Sequence, residues 1–181
     1  MALVDFNTQR ICPSCGKLIN IKHNFCKYCG VDLSEIKPIG MDDISREIAI
    51  TAISDPDPSI RKEAVDTLGD FKEKKVLGVL TWILLNDPNE EVRKEAADEI
   101  GDLHHPYSKN ILSFALKDQS PKVRKEAIEG LKKLKEKVKA EKMDKGQPEE
   151  RGEAIEGLKK VKEKVKAEKM DKGQPEERKK K

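Results

Sequence analysis

Aromatic residues are scarce: one Trp, two Tyr and four Phe in 181 positions. A large aromatic core is therefore excluded. Nowhere does an apolar run approach the roughly 18 residues that a membrane-spanning helix needs. The first residues lack the charged-then-apolar pattern of a secretory leader, so the expectation is a cytoplasmic chain with no membrane contact. Cysteine is confined to four residues, all between positions 12 and 29. A disulfide framework spread along the chain is thus excluded, and in a reducing compartment such a grouping reads as metal ligation.

Charge, by contrast, is abundant, at 39% of residues. The net charge of +3 conceals an acidic middle and a basic end. Residues 1–40 carry 5 basic and 3 acidic side chains, residues 41–131 carry 13 and 19, and residues 132–181 carry 19 and 12. Opposite signs on neighbouring segments steer different partners, and no uniformly basic face emerges. The Lys/Glu bias favours exposed helices laced with ion pairs.

The cysteines form two pairs, Cys12-Pro13-Ser14-Cys15-Gly16 and Cys26-Lys27-Tyr28-Cys29-Gly30, with ten residues between them. Thiolates at i and i+3 can grip one ion from a single tight turn, and four thiolates complete a tetrahedron. The glycine after each pair supplies the positive φ that such a turn requires. A ten-residue insert suits a short hairpin, with Leu18, Ile19, Ile21 and Phe25 available to pack over the metal. A rubredoxin-like iron site uses similar knuckles with a longer insert, and a dithiol redox pair needs a βαβ setting. Residues 10–31 resemble the zinc-ribbon family. That resemblance implies one structural Zn²⁺ on Cys12, Cys15, Cys26 and Cys29, with no open position for catalysis. His23 is expected as an exposed hairpin residue, because the thiolates already fill the site.

After a linker over residues 32–42 the chain repeats itself. Asp55-Pro56-Asp57-Pro58-Ser59-Ile60-Arg61-Lys62-Glu63-Ala64 aligns with the segments starting at Asp87 and Asp118, at offsets of 32 and 31 residues. Each copy reads as two helices around a tight turn, because proline ends a helix and constrains the residue before it. First helices are expected over 43–54, 74–86 and 107–117, and second helices over 59–69, 90–101 and 121–134. The second-helix stripes are Ile60, Ala64, Leu68; Val92, Ala96, Ile100; and Val123, Ala127, Leu131, at i, i+4, i+8 spacing. Gly69 and Gly101 fall where helix C-caps would sit. The pattern over residues 43–134 resembles short HEAT-like repeats of the phycobilisome-lyase type. The resemblance implies a ladder between neighbouring repeats, built from turn aspartates Asp55, Asp87 and Asp118 and helix arginines Arg61, Arg93 and Arg124.

Residues 126–151 recur as 153–178 with one change, Leu134 against Val161. Residues 135–181 therefore read as a duplicated Lys/Glu-rich helical tail. The fold class expected is mainly α: a three-repeat HEAT-like α-solenoid, preceded by a small β-hairpin zinc ribbon and followed by charged helices. The ribbon is expected to cover the first repeat and the charged helix the third, with the array folding independently of the metal. The function expected is a non-enzymatic, zinc-binding scaffold or adaptor that binds another protein through the repeats. The alternative is a nucleic-acid- or ribosome-associated adaptor, using Lys17, Lys22 and Lys27 with Phe25 and Tyr28. A HEAT-like lyase or hydroxylase accessory role is disfavoured. No catalytic residue can be pointed to, and His104 and His105 lie in an inter-repeat loop expected to be solvated.

Overall fold

The computed structural model describes residues 4–41 and 43–145; most of the duplicated tail lies outside them. The protein is mainly helical. A two-stranded antiparallel sheet, β1 (Gln9–Ile11) and β2 (Leu18–Asn20), precedes six helices: α1 (Ile44–Ser54), α2 (Pro58–Asp70), α3 (Leu77–Asn86), α4 (Glu90–Asp102), α5 (Ser108–Ala115) and α6 (Pro121–Lys145). They pair as α1/α2, α3/α4 and α5/α6, one helix hairpin per sequence repeat.

Local chemistry sets the boundaries. Asp43, Asp57 and Asn89 sit in extended backbone before α1, α2 and α4, and their side-chain oxygens accept the first free N–H groups of those helices. Pro58 opens α2 with a φ already suited to a helix. Gly69 and Gly101 do not end their helices, as the sequence led us to expect. Both lie inside, and the left-handed residues that follow are Lys72 and His104, each at φ 49°. The glycines serve close approach instead, since a Cβ on Gly101 would meet the Gly130 Cα at 2.8 Å.

Arg61, Ala64, Val65, Leu68 and Gly69 form the buried stripe of α2; Val92, Arg93, Ala96, Ala97, Ile100 and Gly101 form that of α4. Ile60, expected in the core, is exposed. Its equivalents Val92 and Val123 are buried; each lies in a repeat with another before it. Helix α3 is buried on nearly every side, as befits an element apolar all round. α6 runs unbroken past position 134, where its end was expected. His104 and His105 are half-buried rather than solvated, and burial pulls the His105 pKa down, helped by nearby Lys74.

The repeats are joined by a ladder. Arg61 donates from Nε and Nη2 to both carboxylate oxygens of Asp87, at 2.8 and 2.9 Å, and from Nη1 to the carbonyl of Asp55 in its own turn. Arg93 repeats the pattern with Asp118 and with the carbonyl of Asp87. The bidentate carboxylate partner raises the pKa of each arginine. Removing Arg93 would strand a half-buried carboxylate and two turn carbonyls. Arg93→Ala should destabilise by about 3 kcal/mol in urea unfolding. Lys94→Ala, which breaks only a 3.4 Å pair with Glu126 on a partly exposed face, should cost about 0.5 kcal/mol. Equal costs would contradict the ladder's role.

Candidate metal centre

The four cysteines occupy two turns of the same construction. Cys12 N–H donates to the Lys17 carbonyl at 2.9 Å and Gly16 N–H to the Cys12 carbonyl at 2.9 Å; Cys26 N–H donates to Val31 at 3.0 Å and Gly30 N–H to Cys26 at 2.8 Å. Gly16 and Gly30 sit at φ 67° and 73°, the left-handed geometry that favours glycine. The first turn joins β1 to β2, and the second is closed by a bridge between Phe25 and Asp32. The hairpin thus surrounds the first cysteine pair instead of filling the insert. Of the four apolar residues expected over the metal, Ile19 is buried there, together with Leu33; Phe25 is exposed.

All four sulfurs lie within 4.8 Å of one another. Cys12 Sγ is 3.7 Å from Cys29 Sγ, and Cys15 Sγ is 3.7 Å from Cys26 Sγ. These distances are too long for disulfides, which need about 2.05 Å. They suit an ion bound by four thiolates at about 2.3 Å, whose tetrahedral edges are about 3.8 Å. Burial pushes the Cys12 thiol up, and Cys15 up to about 11. Burial would also raise Cys26, but the N–H groups of Tyr28 and Cys29 aimed at its sulfur help bring it down to about 7. A bound cation would supply the charge that favours the thiolate form of the buried thiols. His23 is exposed, as expected.

The site is welded to the helices. Ile11, Phe6 and Ile39 belong to the same apolar core as α1 through α6. Gly78 of α3 leaves room for the Ile11 carbonyl, where a Cβ would collide. Thr81 Oγ1 donates to the Pro13 carbonyl at 3.1 Å, and Tyr107 Oη to the Asp32 carbonyl at 2.6 Å. Arg46 of α1 donates to Asn7 at 3.0 Å and stands over the Phe6 ring. The ribbon and the residues flanking it thus contact α1, α3 and the residue before α5, instead of covering the first repeat alone. Leu33, Ile36 and Ile39 of the expected linker are buried. Ribbon and array thus share one apolar core, where the sequence led us to expect an array that folds independently of the metal. Sequence reasoning missed Thr81 and Tyr107, although the near-complete apolar circumference of α3 signals that something beyond its helical neighbours must cover it.

A second cluster of ligand-type groups lies on α2 and α4, where carboxylate oxygens of Asp66, Glu95 and Glu99 stand within 4.8 Å of one another. Lys62 reaches Glu95 at 3.2 Å, and Lys133 reaches Asp98 and Asp102 at 2.7 and 2.6 Å. Glu99 keeps no such partner among the described residues. Burial, with Asp66, Asp98, Asp102 and Glu95 around it, pushes its pKa up to about 7.

Residues 77–159 match the family model for HEAT repeats, a stretch that begins at α3 and covers slightly under half the chain. The match is to HEAT repeats at large and does not single out the lyase type. No match to the chain is found among curated proteins. Among the described residues, no helix is long and apolar enough to cross a membrane.

The acidic cluster has a sign-determined consequence for stability. Glu99 binds its proton more tightly folded than unfolded, so stability falls as pH rises from its ordinary 4.5 toward about 7. Glu99→Gln should therefore raise the thermal midpoint at pH 8 and change it little at pH 4.5. An equal gain at both values would show that charge repulsion is not the cause.

Proposed function

We propose that this chain is a non-enzymatic scaffold or adaptor, in which a zinc-stapled ribbon stiffens a short helical array that binds another protein. Cys12, Cys15, Cys26 and Cys29 hold one structural Zn²⁺. With four thiolates around the ion, no position is left for water or substrate, so its contribution is folding energy. The observation that carries the reading is the lateral face of the second helices. Lys62–Glu95 at 3.2 Å and Lys94–Glu126 at 3.4 Å run from one repeat to the next, with Asp66 and Glu99 beside them. The side chains left over after stacking make a polar face of mixed charge, of the kind solenoids offer to proteins. Such a face repels phosphate more than it attracts it. Four cysteines grouped as metal ligands instead of paired as disulfides agree with a cytoplasmic setting.

A nucleic-acid or ribosome-associated adaptor is the second reading. It is supported by Phe25 and Tyr28, both exposed on the ribbon, with Lys27 Nζ 5.0 Å from the Tyr28 ring centre. Exposed rings beside lysines are what base stacking uses. An accessory role to a lyase or hydroxylase finds no support in a named reactive group.

Metal analysis of the purified chain should give about one zinc per molecule. Cys12→Ser should abolish that binding. Because ribbon and helices share one core, chelation should also lower the midpoint of the helical circular-dichroism transition. Zinc-free protein with an ordered 12–29 segment would refute the metal reading. For the partner, a protein retained by the native chain should be lost from a Glu95→Lys, Glu99→Lys variant of unchanged helicity. RNA binding that falls steeply with salt and disappears in Phe25→Ala, Tyr28→Ala would favour the second reading instead.

A further inference from the structure

Aligning the repeats on Asp55, Asp87 and Asp118 separates positions that face the preceding repeat from those that face the following one. The preceding-facing apolar position is Ile60, Val92 or Val123. It is fully buried in the second and third repeats and 47% exposed in the first. The following-facing position on the second helix is Val65, Ala97 or Ile128, buried twice and 58% exposed in the last repeat. On the first helix, Ile83 is buried, whereas its equivalent Phe114 is 58% exposed. Each end of the array thus displays apolar side chains that the interior repeats bury against one another.

The polar rung is divided in the same way. Arg124 donates from Nη1 to the Asp118 and Gln119 carbonyls of its own turn, at 2.7 and 3.0 Å, as Arg61 and Arg93 do in theirs. Its Nε and Nη2, which in those arginines hold the next repeat's aspartate, have no acceptor among the described residues. At the other end, Asp55 Oδ1 accepts the Asp57 N–H at 2.9 Å, just as Asp87 and Asp118 accept from Asn89 and Ser120. The Asp55 carboxylate receives no arginine donor among the described residues, Arg61 reaching only its backbone carbonyl. The two ends are complementary halves of one rung.

We propose that the chain stacks head-to-tail on a second copy of itself, Arg124 of one copy gripping Asp55 of the next while Ile128 and Phe114 meet Ile60. The contact joins two different surfaces, so it propagates as an open row and does not close as a symmetric dimer. It uses the ends of the array, leaving the lateral face of the second helices free.

The test is sedimentation of the full zinc-loaded chain from micromolar to about 1 mM. The expected mass rises with concentration past that of a dimer. Asp55→Asn, which keeps the acceptor for Asp57 N–H, should weaken association about tenfold or more, and so should Arg124→Gln. Ile128→Glu, at an exposed position that leaves folding intact, should act like Arg124→Gln. Mixing Asp55→Asn with Arg124→Gln should restore association only as far as a heterodimer, because each contributes one intact end. The proposal is overturned by a native chain that stays monomeric throughout, or by association that neither substitution weakens. Loss on altering Arg124 with none on altering Asp55 overturns it too, since the open arginine then meets another partner.

Discussion

The arginine of each second helix is the joint on which the array depends. Its guanidinium is planar, with donors on two edges, and Arg61 and Arg93 use both. One edge closes the turn of its own repeat, and the other takes the next repeat's aspartate side-on. A lysine could neutralise the same charge but could not fix two directions at once. Because the pair is buried, its bonds must be made fully or cost more than they return. Apolar stacking can slide; this rung cannot, and so it sets the spacing to which Val65, Ala97 and their neighbours are packed.

The cysteine module depends on that order as well as adding to it. Its two turns bring four sulfurs together with few buried side chains of their own, chiefly Ile19 and Leu33. So small a unit needs help from a metal or a neighbour, and this one is built for both. The Ile11 carbonyl approaches α3 where Gly78 has no side chain, and Thr81 ties down the Pro13 carbonyl. The cysteine turns and the helices are therefore packed on one shared core.

Much of this was legible in the residues alone. Two Cys-x-x-Cys-Gly turns report their geometry directly, because a thiolate pair and a positive φ leave few alternatives. The repeats were equally plain, since Asp-to-Arg spacing and proline-ended helices are local signals. What escaped is what depends on neighbours. Ile60 fits the apolar stripe but stands in the first repeat, with none before it. Gly69 and Gly101 look like caps until the facing helix is known. Phe25 reads as a cover for the metal, yet Leu33, seven residues after Cys26, fills that place. The docking of the ribbon left only an indirect trace, the apolar circumference of α3.

The curvature of a stacked helical array follows from the small rotation between adjacent repeats. Here the ribbon and its flanking residues touch α1 through Arg46, α3 through Thr81 and the approach to α5 through Tyr107. A change in that rotation would move these attachment points apart, while the segment between them has its own turns closed by backbone hydrogen bonds. Three attachments along one side therefore restrict how far adjacent repeats can rotate against one another.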